Sequence, residues 1–245
     1  MRRAFLLLFL LFASVVLADT PVIPTMNFEL SAPNSPEQLV NSLNVVLLLT
    51  VLFLAPSMVF VMTTFTRFLI VFGFIRQAMG TQQVPPTQVL VMLAMIMTFF
   101  VMEPVGQKSY DQGIKPYMNQ EISYDVAFER ASEPFKSFMV KNTREKDLAL
   151  FLRVRNMPNP QSIDDVSFGV IIPAFLISEL KTAFEIGFLI FLPFLVIDMV
   201  VASILMSMGM MMLPPVMVAL PFKILIFILI DGWNLLIGNL IASVK

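Results

Sequence analysis

Six charged side chains interrupt the apolar final third of the sequence, and they have the clearest capacity for chemistry. A charge at the centre of a bilayer costs roughly 2.5–3.5 kcal/mol on insertion scales, so helices that carry charges are expected to bury them against other helices or a water-filled channel. Such carboxylates can relay protons or ions, or they can pair with cations and join helices. We favour structural ion pairs, since no paired acidic motif recurs. The six residues are Glu179, Lys181, Glu185, Asp198, Lys223 and Asp231.

The spacing of these charges restricts which of them can pair. Lys181 and Glu185 are four residues apart and can pair along one helix. Glu179 lies two residues from Lys181 and does not share its face, so it needs a partner elsewhere. Lys223, which stands alone in a later apolar run, is the predicted partner of Glu179 in a structural ion pair. The alternative is a proton or ion pathway through Glu179, Asp198 and Asp231.

A second cluster lies at residues 207–215, SMGMMMLPP, where methionines precede two prolines. Thioethers are soft ligands that select Cu(I), although no Cys or His supports such a site here. Ordinary core packing is the default interpretation. A third interpretation places the methionines on a short loop between two helices, because Gly209 relaxes the backbone and Pro214 and Pro215 stop a helix. Flexible thioether side chains on a short loop can close around varying shapes. A seal that must also open needs this property.

The composition predicts a membrane protein, and apolar runs long enough to cross a bilayer as helices predict an all-α fold. Of 245 residues, 58% are hydrophobic and 13% charged, and the mean hydropathy is +0.84. The absence of Cys and His removes disulfides and thiolate or imidazole chemistry, and no GxxxxGK[ST] motif is present to cradle a phosphate. With a net charge of −1, nucleic acid is not an expected partner. We therefore expect neither an enzyme nor a cofactor or metal.

Residues 1–18 have the three parts of a secretory signal. Arg2 and Arg3 precede a short apolar core, and a small residue, Ala18, offers a cleavage site before Asp19. The core, about 14 residues, is short for a bilayer helix, which needs about 20. The mature chain is predicted to begin at Asp19 outside the cytoplasm, with residues 19–42 as a proline-rich exported lead-in.

The remaining chain divides by composition into three parts. Residues 43–102 are predicted to form a first pair of hydrophobic helices. Residues 103–168 are predicted to form a polar helical segment on the periplasmic side, with one helix that has a capped start at Asn142-Thr143-Arg144-Glu145 and runs through about Arg155. Residues 169–245 form a second set of hydrophobic helices with the methionine-rich loop 206–215. The polar segment is too small to bury all its aromatic side chains alone, which predicts that Phe135 and Phe138 contact other helices or subunits. Phe151 is a further candidate for a subunit contact.

The stretch PAFLISELKTAFEIGFLIFLPFLVIDMVVASILMSMGMMMLPP, residues 173–215, resembles the signature region of the FliP family. This family provides export-gate proteins of the flagellar type III secretion apparatus and is similar to the SctR proteins of injectisomes. The resemblance implies a homopentamer that assembles with FliQ-like and FliR-like subunits and other export-apparatus proteins in the bacterial inner membrane at the flagellar basal body. Bent helical hairpins would form a cone-shaped gate for unfolded export substrates.

The resemblance also implies roles for particular residues. Met210, Met211 and Met212 would form a gasket around the export channel, on a loop whose hinges are Gly209, Pro214 and Pro215. Glu179 and Lys223 match positions that join neighbouring helices or subunits in the family. The alternative function is a proton-coupled membrane transporter that uses its embedded carboxylates.

Overall fold

The computed structural model describes residues 36–81, 83–158, 160, 162, 165–210 and 213–244. Within these residues the secondary structure is helical, with no strand, and the chain divides between Thr50 and Val51 into two compact units. The predicted signal peptide, its cleavage site and most of the lead-in lie outside the described residues. In chain order the helices are α1 Pro36–Val61, α2 Phe65–Ala78, α3 Thr87–Ser109, a π-helix Tyr110–Ile114, α4 Lys115–Met118, α5 Tyr124–Asn142, α6 Glu145–Val154, α7 Phe168–Ser207, α8 Pro215–Leu229 and α9 Gly232–Ala242.

The first hydrophobic region, predicted as a pair, is divided among α1, α2 and α3. Charge at Glu103 does not end α3, because the helical backbone hydrogen bonds continue regardless of polarity. The helical run Thr87–Met118 instead spans 32 residues and passes through the π-helix. At Gly113 in the π-helix, an added Cβ would lie 2.6 Å from the backbone nitrogen of Ala131. This glycine therefore permits the close approach of α5.

The polar segment forms helices α5 and α6. The predicted cap at Asn142 is wrong, because Asn142 is the last residue of α5, and α6 begins three residues later at Glu145. Phe138 and Met139 on α5 face the start of α7, and the rings of Phe138 and Phe175 lie 5.9 Å apart in an edge-to-face arrangement. Phe138 is only 5% exposed. The predicted contact of Phe138 with another helix is therefore confirmed, and it is made within the same chain. Phe135 and Phe151 are half-buried against the same cluster.

Truncation of Phe138 tests this core. Phe138→Ala is expected to destabilise the chain by roughly 3–5 kcal/mol, since it removes a buried ring and leaves a cavity. Thermal unfolding of the purified protein in detergent measures the loss. Phe128→Ala on the same helix is the control, because that side chain is 62% exposed. Equal losses in the two variants would contradict the observed packing.

The second hydrophobic set contains one continuous helix where charges suggested separate runs. Helix α7 has 40 residues and contains Pro173 and Pro193 as well as four charged side chains. At 1.5 Å per residue it is about 60 Å long, twice the thickness of a bilayer's hydrocarbon core. Single charges do not break a helix when other helices satisfy them, and α7 obtains such partners.

Helices α8 and α9 form a bent pair, with an angle of 65° between them. The bend falls at Asp231, which has φ 52° in the left-handed region. Length and composition make two described helical runs, Thr87–Met118 and Phe168–Ser207, capable of crossing a membrane, or three if the bent pair is counted as one span. A core of α2, α3, α7, α8 and α9 side chains includes Phe68, Phe72, Ala183 and Phe227.

Candidate functional site: buried ion pairs and the methionine loop

A buried ion pair joins α2 to α7. The Nε atom of Arg67 donates to Oε2 of Glu179 at 2.8 Å, and Nη2 of Arg67 donates to Oε1 of the same carboxylate. The two side chains are 2% and 0% exposed. This fork-to-fork geometry satisfies both carboxylate oxygens, which a buried charge requires if it is to remain ionised.

The remaining donors of Arg67 reach the segment that follows α9. Its Nη1 atom donates to the backbone oxygen of Ser243 at 2.8 Å and to the Ser243 hydroxyl oxygen at 3.0 Å. Arg67 therefore connects α2, α7 and the end of α9 at a single buried point.

A second ion pair connects α8 to α7 and to the end of α2. The Nζ atom of Lys223 donates to Oδ2 of Asp198 at 2.6 Å and to the backbone oxygen of Ala78 at 3.1 Å. Lys223 is 2% exposed and the Asp198 side chain 27%. The Ala78 oxygen lies at the carboxyl end of α2, where the helix dipole favours a cation.

The predicted pair of Glu179 with Lys223 is wrong. Each residue has a different partner in the same chain, and both side chains are buried in those contacts, so neither is available to a neighbouring subunit. The sequence pattern does not indicate Arg67 as the partner of Glu179, because Arg67 stands at the border between two apolar runs, where a charge is expected at a membrane surface. Its position after the paired threonines Thr63 and Thr64, which are also buried, is the only local signal.

A polar network joins the start of α6 to α7. Glu185 accepts from Nη2 of Arg144 at 2.6 Å, and Nζ of Lys181 lies 3.8 Å from its other oxygen. The predicted pairing of Lys181 with Glu185 is therefore confirmed. Ser178 donates to Asp147 at 2.7 Å and accepts from the backbone nitrogen of Arg144 at 3.1 Å. These bonds fix the polar segment against α7.

The methionine-rich segment begins with a capped helix end. Gly209 has φ 73°, and its N–H donates to the oxygen of Met206 at 3.0 Å. The N–H of Met210 donates to the oxygen of Leu205, also at 3.0 Å. These two bonds form the Schellman motif, in which a left-handed residue satisfies the last carbonyls of a helix. The predicted break after α7 is thus present, and Gly209 makes it.

The far side of the loop is set by the two prolines. Pro214 precedes α8, and Pro215 is its first residue, where a missing N–H costs nothing. Met210 is 40% exposed. Met211 and Met212 lie outside the described residues, so the gasket role of all three methionines stays a prediction.

The arrangement provides fixed charges between helices rather than a catalytic constellation. Among the described residues, no three carboxylates come together where they could hold a metal ion. Asp231 is exposed and lies apart from both ion pairs at the bend between α8 and α9. Apolar helices long enough to span a bilayer, held together by buried ion pairs, define a helical membrane protein.

Comparison with known proteins gives the family. The FliP family model matches residues 48–240. The flagellar biosynthetic protein FliP of Bacillus subtilis (strain 168) is 52% identical over 210 residues, which cover 86% of this chain and 95% of that relative. The protein of the same name from Caulobacter vibrioides is 54% identical over 196 residues, 80% of this chain and 74% of the relative. The flagellar biosynthetic protein FliP of Pectobacterium carotovorum is 49% identical over 211 residues, which cover 86% of this chain and 82% of that relative. This chain belongs to the FliP family.

Proposed function

We propose that this chain is a subunit of the flagellar protein export gate and forms the channel through which unfolded proteins cross the bacterial inner membrane. The observation that carries the proposal is the family match over residues 48–240, together with relatives named as flagellar biosynthetic proteins. The apolar helical architecture supports a membrane location at the flagellar basal body. The chain is proposed to catalyse no covalent reaction.

Assembly with other chains follows from the surfaces that a single chain leaves open. On α7, large apolar side chains such as Phe184, Phe188 and Leu189 are more than half exposed. Apolar clefts of about 410 and 450 Å³ lie beside α7 and α8. We propose that copies of this chain, as a pentamer, and FliQ-like and FliR-like subunits cover these surfaces in a helical cone. Phe135 and Phe151 are proposed to contribute to these contacts through their exposed edges.

Within that assembly we propose that Met210, Met211 and Met212 form a gasket around the channel. The Schellman motif at Gly209 and the helix start at Pro214 and Pro215 support this role, because they fix the two ends of the loop, and Met210 is 40% exposed. The orientation proposed from the sequence places the mature start, Asp19, and residues 103–168 on the periplasmic side.

A proton-coupled transporter is the alternative function. It would use Glu179, Asp198 and Asp231 as relays. Glu179 and Asp198 each have a cationic partner in the described chain, so neither needs a mobile proton to remain buried. The ion pairs therefore favour a structural use of these carboxylates.

The mass of the purified complex in detergent tests the proposed assembly. When the chain is expressed with FliQ-like and FliR-like partners, native mass spectrometry is expected to give a particle that contains five copies of this chain together with both partners. The chain expressed alone is the comparison, and it is expected to give self-associated particles. A single chain per particle in both preparations would contradict the gate.

A further inference from the structure

Three aromatic rings form an exposed surface where α4 meets α5 in the polar segment. The rings of Tyr117 and Tyr124 lie 6.2 Å apart in an edge-to-face arrangement, and those of Tyr124 and Phe128 are stacked 6.5 Å apart. The three side chains are 47%, 66% and 62% exposed. Aromatic side chains are enriched in protein interfaces, where they supply a large apolar area. This aromatic surface therefore has the character of a contact site.

A Schellman motif holds the aromatic surface in one shape. Gln120 has φ 60°, and its N–H donates to the oxygen of Tyr117 at 2.9 Å. The N–H of Glu121 donates to the oxygen of Pro116, also at 2.9 Å. These bonds end α4 and fix the direction in which α5 begins. A surface fixed in this way loses little conformational freedom when a partner binds.

Carboxylates border the aromatic surface on one side. Asp125 and Glu129 each follow a ring residue, are exposed, and stand four residues apart on α5, so they share one side of the helix. In the part of the chain that the structure describes, neither belongs to an ion pair. The surface therefore matches a partner that has an apolar centre with cations beside it.

The position of the rings favours protein over lipid as the partner. Tyr117 lies 15 residues beyond Met102, where the apolar part of α3 ends, which is about 22 Å at 1.5 Å per residue along the helical run. The headgroup region on one side of a bilayer is only about 5–8 Å thick. With the apolar part of α3 in the hydrocarbon core, the rings lie beyond the headgroups. The bordering carboxylates also repel anionic lipids.

Residues 153–155, the α6 end, present the complementary arrangement. Arg153 and Arg155 are exposed, and Val154 between them is 71% exposed. Among the described residues, neither arginine is part of an ion pair. The guanidinium of Arg155 lies against Gly169, where an added Cβ would be 3.1 Å from both Nη atoms. Two uncompensated cations therefore flank an apolar side chain.

The backbone of the α6 end is also fixed by a Schellman motif. Asn156 has φ 53°, and its N–H donates to the oxygen of Arg153 at 3.0 Å. The N–H of Met157 donates to the oxygen of Leu152 at 2.9 Å. The α6 end and the aromatic surface are thus both held in one shape before any partner binds.

From these two surfaces we propose that the aromatic surface of one copy binds the α6 end of the next copy. Val154 contacts the rings, while Arg153 and Arg155 pair with the carboxylates of Asp125 and Glu129 or lie over the ring faces, which attract cations. Because two different surfaces meet, the contact is head-to-tail and can close into a ring. This inference rests on the proposed assembly and assigns a contact between its copies in the polar segment.

Cysteine cross-linking tests the contact, because the chain contains no Cys of its own. Phe128→Cys and Val154→Cys are made in separate, differently tagged full-length copies, which are co-expressed with the FliQ-like and FliR-like partners. A disulfide needs Cα atoms within about 7 Å of each other, so mild oxidation is expected to join the two tags in one dimer. Either variant as the only copy is expected to give no dimer. Phe128→Cys with Lys141→Cys, an exposed position near the other end of α5, is the control.

Charge reversal tests the complementarity in the same cross-linking measurement. Asp125→Arg with Glu129→Arg in the Phe128→Cys copy is expected to slow dimer formation roughly fivefold, since exposed ion pairs contribute modestly and two are replaced by repulsion. Arg153→Glu with Arg155→Glu in the Val154→Cys copy is expected to restore the rate. The amount of inserted chain is expected to stay unchanged, because all four side chains are exposed in the single chain.

The outcomes separate this contact from the assembly on which it rests. Absence of the cross-link in particles that native mass spectrometry shows to hold several copies would overturn the contact and leave the assembly standing. One chain per particle would overturn both. A dimer formed by Phe128→Cys copies alone would overturn the head-to-tail arrangement, and an unchanged rate after charge reversal would overturn the charge pairing. Protection of Phe128→Cys from a water-soluble maleimide without a cross-link to Val154→Cys would assign the aromatic surface to a different subunit and overturn the second copy as its partner.

Discussion

Replacing Glu179 by leucine is expected to remove most of the folded, membrane-inserted chain. The change strands the Arg67 guanidinium in an interior where its side chain is 2% exposed. Removal of one partner of a buried ion pair costs roughly 3–5 kcal/mol, because the other charge is left without compensation. Folded proteins are stable by only about 5–15 kcal/mol, so this single loss consumes a large part of the margin. Thermal unfolding in detergent and the amount of inserted chain measure it.

Removal of both charges is expected to recover much of the stability that Glu179→Leu loses. Arg67→Met combined with Glu179→Leu leaves an apolar contact between α2 and α7, and well-packed apolar replacements of a buried pair are often neutral or stabilising. The Ser243 oxygen then loses its donor, so recovery is expected to be partial. Glu185→Leu is the control, because that carboxylate is 55% exposed and its loss is expected to be small.

The exchange of Glu179 and Lys223 provides the outcome that would contradict this arrangement. The double variant Glu179→Lys with Lys223→Glu places a like charge beside Arg67 and another beside Asp198. Its damage is expected to be at least as large as that of either single change. Recovery in this double variant would mean that Glu179 and Lys223 contact each other, against the observed partners.

The helices that could be predicted from the sequence are those whose ends carry local signals. Gly209 with Pro214 and Pro215 marks the break between α7 and α8, and a helix follows the predicted start at residues 142–145, although its cap is not Asn142. These signals act over a few residues, since φ preference and a missing N–H are properties of single positions. For the same reason the break between α7 and α8 can be predicted from residues 207–215 alone.

Partners that lie far apart in the chain could not be predicted in the same way. Arg67 and Glu179 are separated by 112 residues. The sequence of one apolar helix does not indicate which other helix it will contact. The charges divide the final third into separate apolar runs in the sequence, and those within α7 do not show that a single helix of 40 residues carries them. Phe138 shows the same limit, because the size of the polar segment predicts a partner outside it but does not indicate that the start of α7 provides that partner.

The methionine loop gives the second large expected effect. Replacing Met210, Met211 and Met212 together by alanine is expected to leave assembly intact and make the membrane leaky to small ions. Alanine removes most of the side-chain volume that the proposed gasket would place in the channel, while Gly209, Pro214 and Pro215 are kept. Met210 is 40% exposed, so its loss removes little of the chain's own core.

Replacement of the same three methionines by leucine separates volume from flexibility. Leucine keeps apolar bulk but loses the unbranched side chain and its rotatable bonds, so sealing is expected to persist largely while substrate passage slows. Ion conductance, substrate export and complex yield are measured on both variants. Met118→Ala, an exposed methionine in the polar segment, is the control for surface position, and Met139→Ala, which is fully buried, is the control for core loss.

The other two interpretations of the loop predict different results in the same measurements. If the methionines are core residues, the alanine variant loses assembled complex as Met139→Ala does, at roughly 2–5 kcal/mol per buried side chain. If they bind Cu(I), behaviour depends on copper and the leucine variant abolishes that dependence, because leucine has no sulfur to coordinate the metal. A tight membrane at normal complex yield in the alanine variant would rule out the gasket, because the channel would then be closed without the methionine side chains.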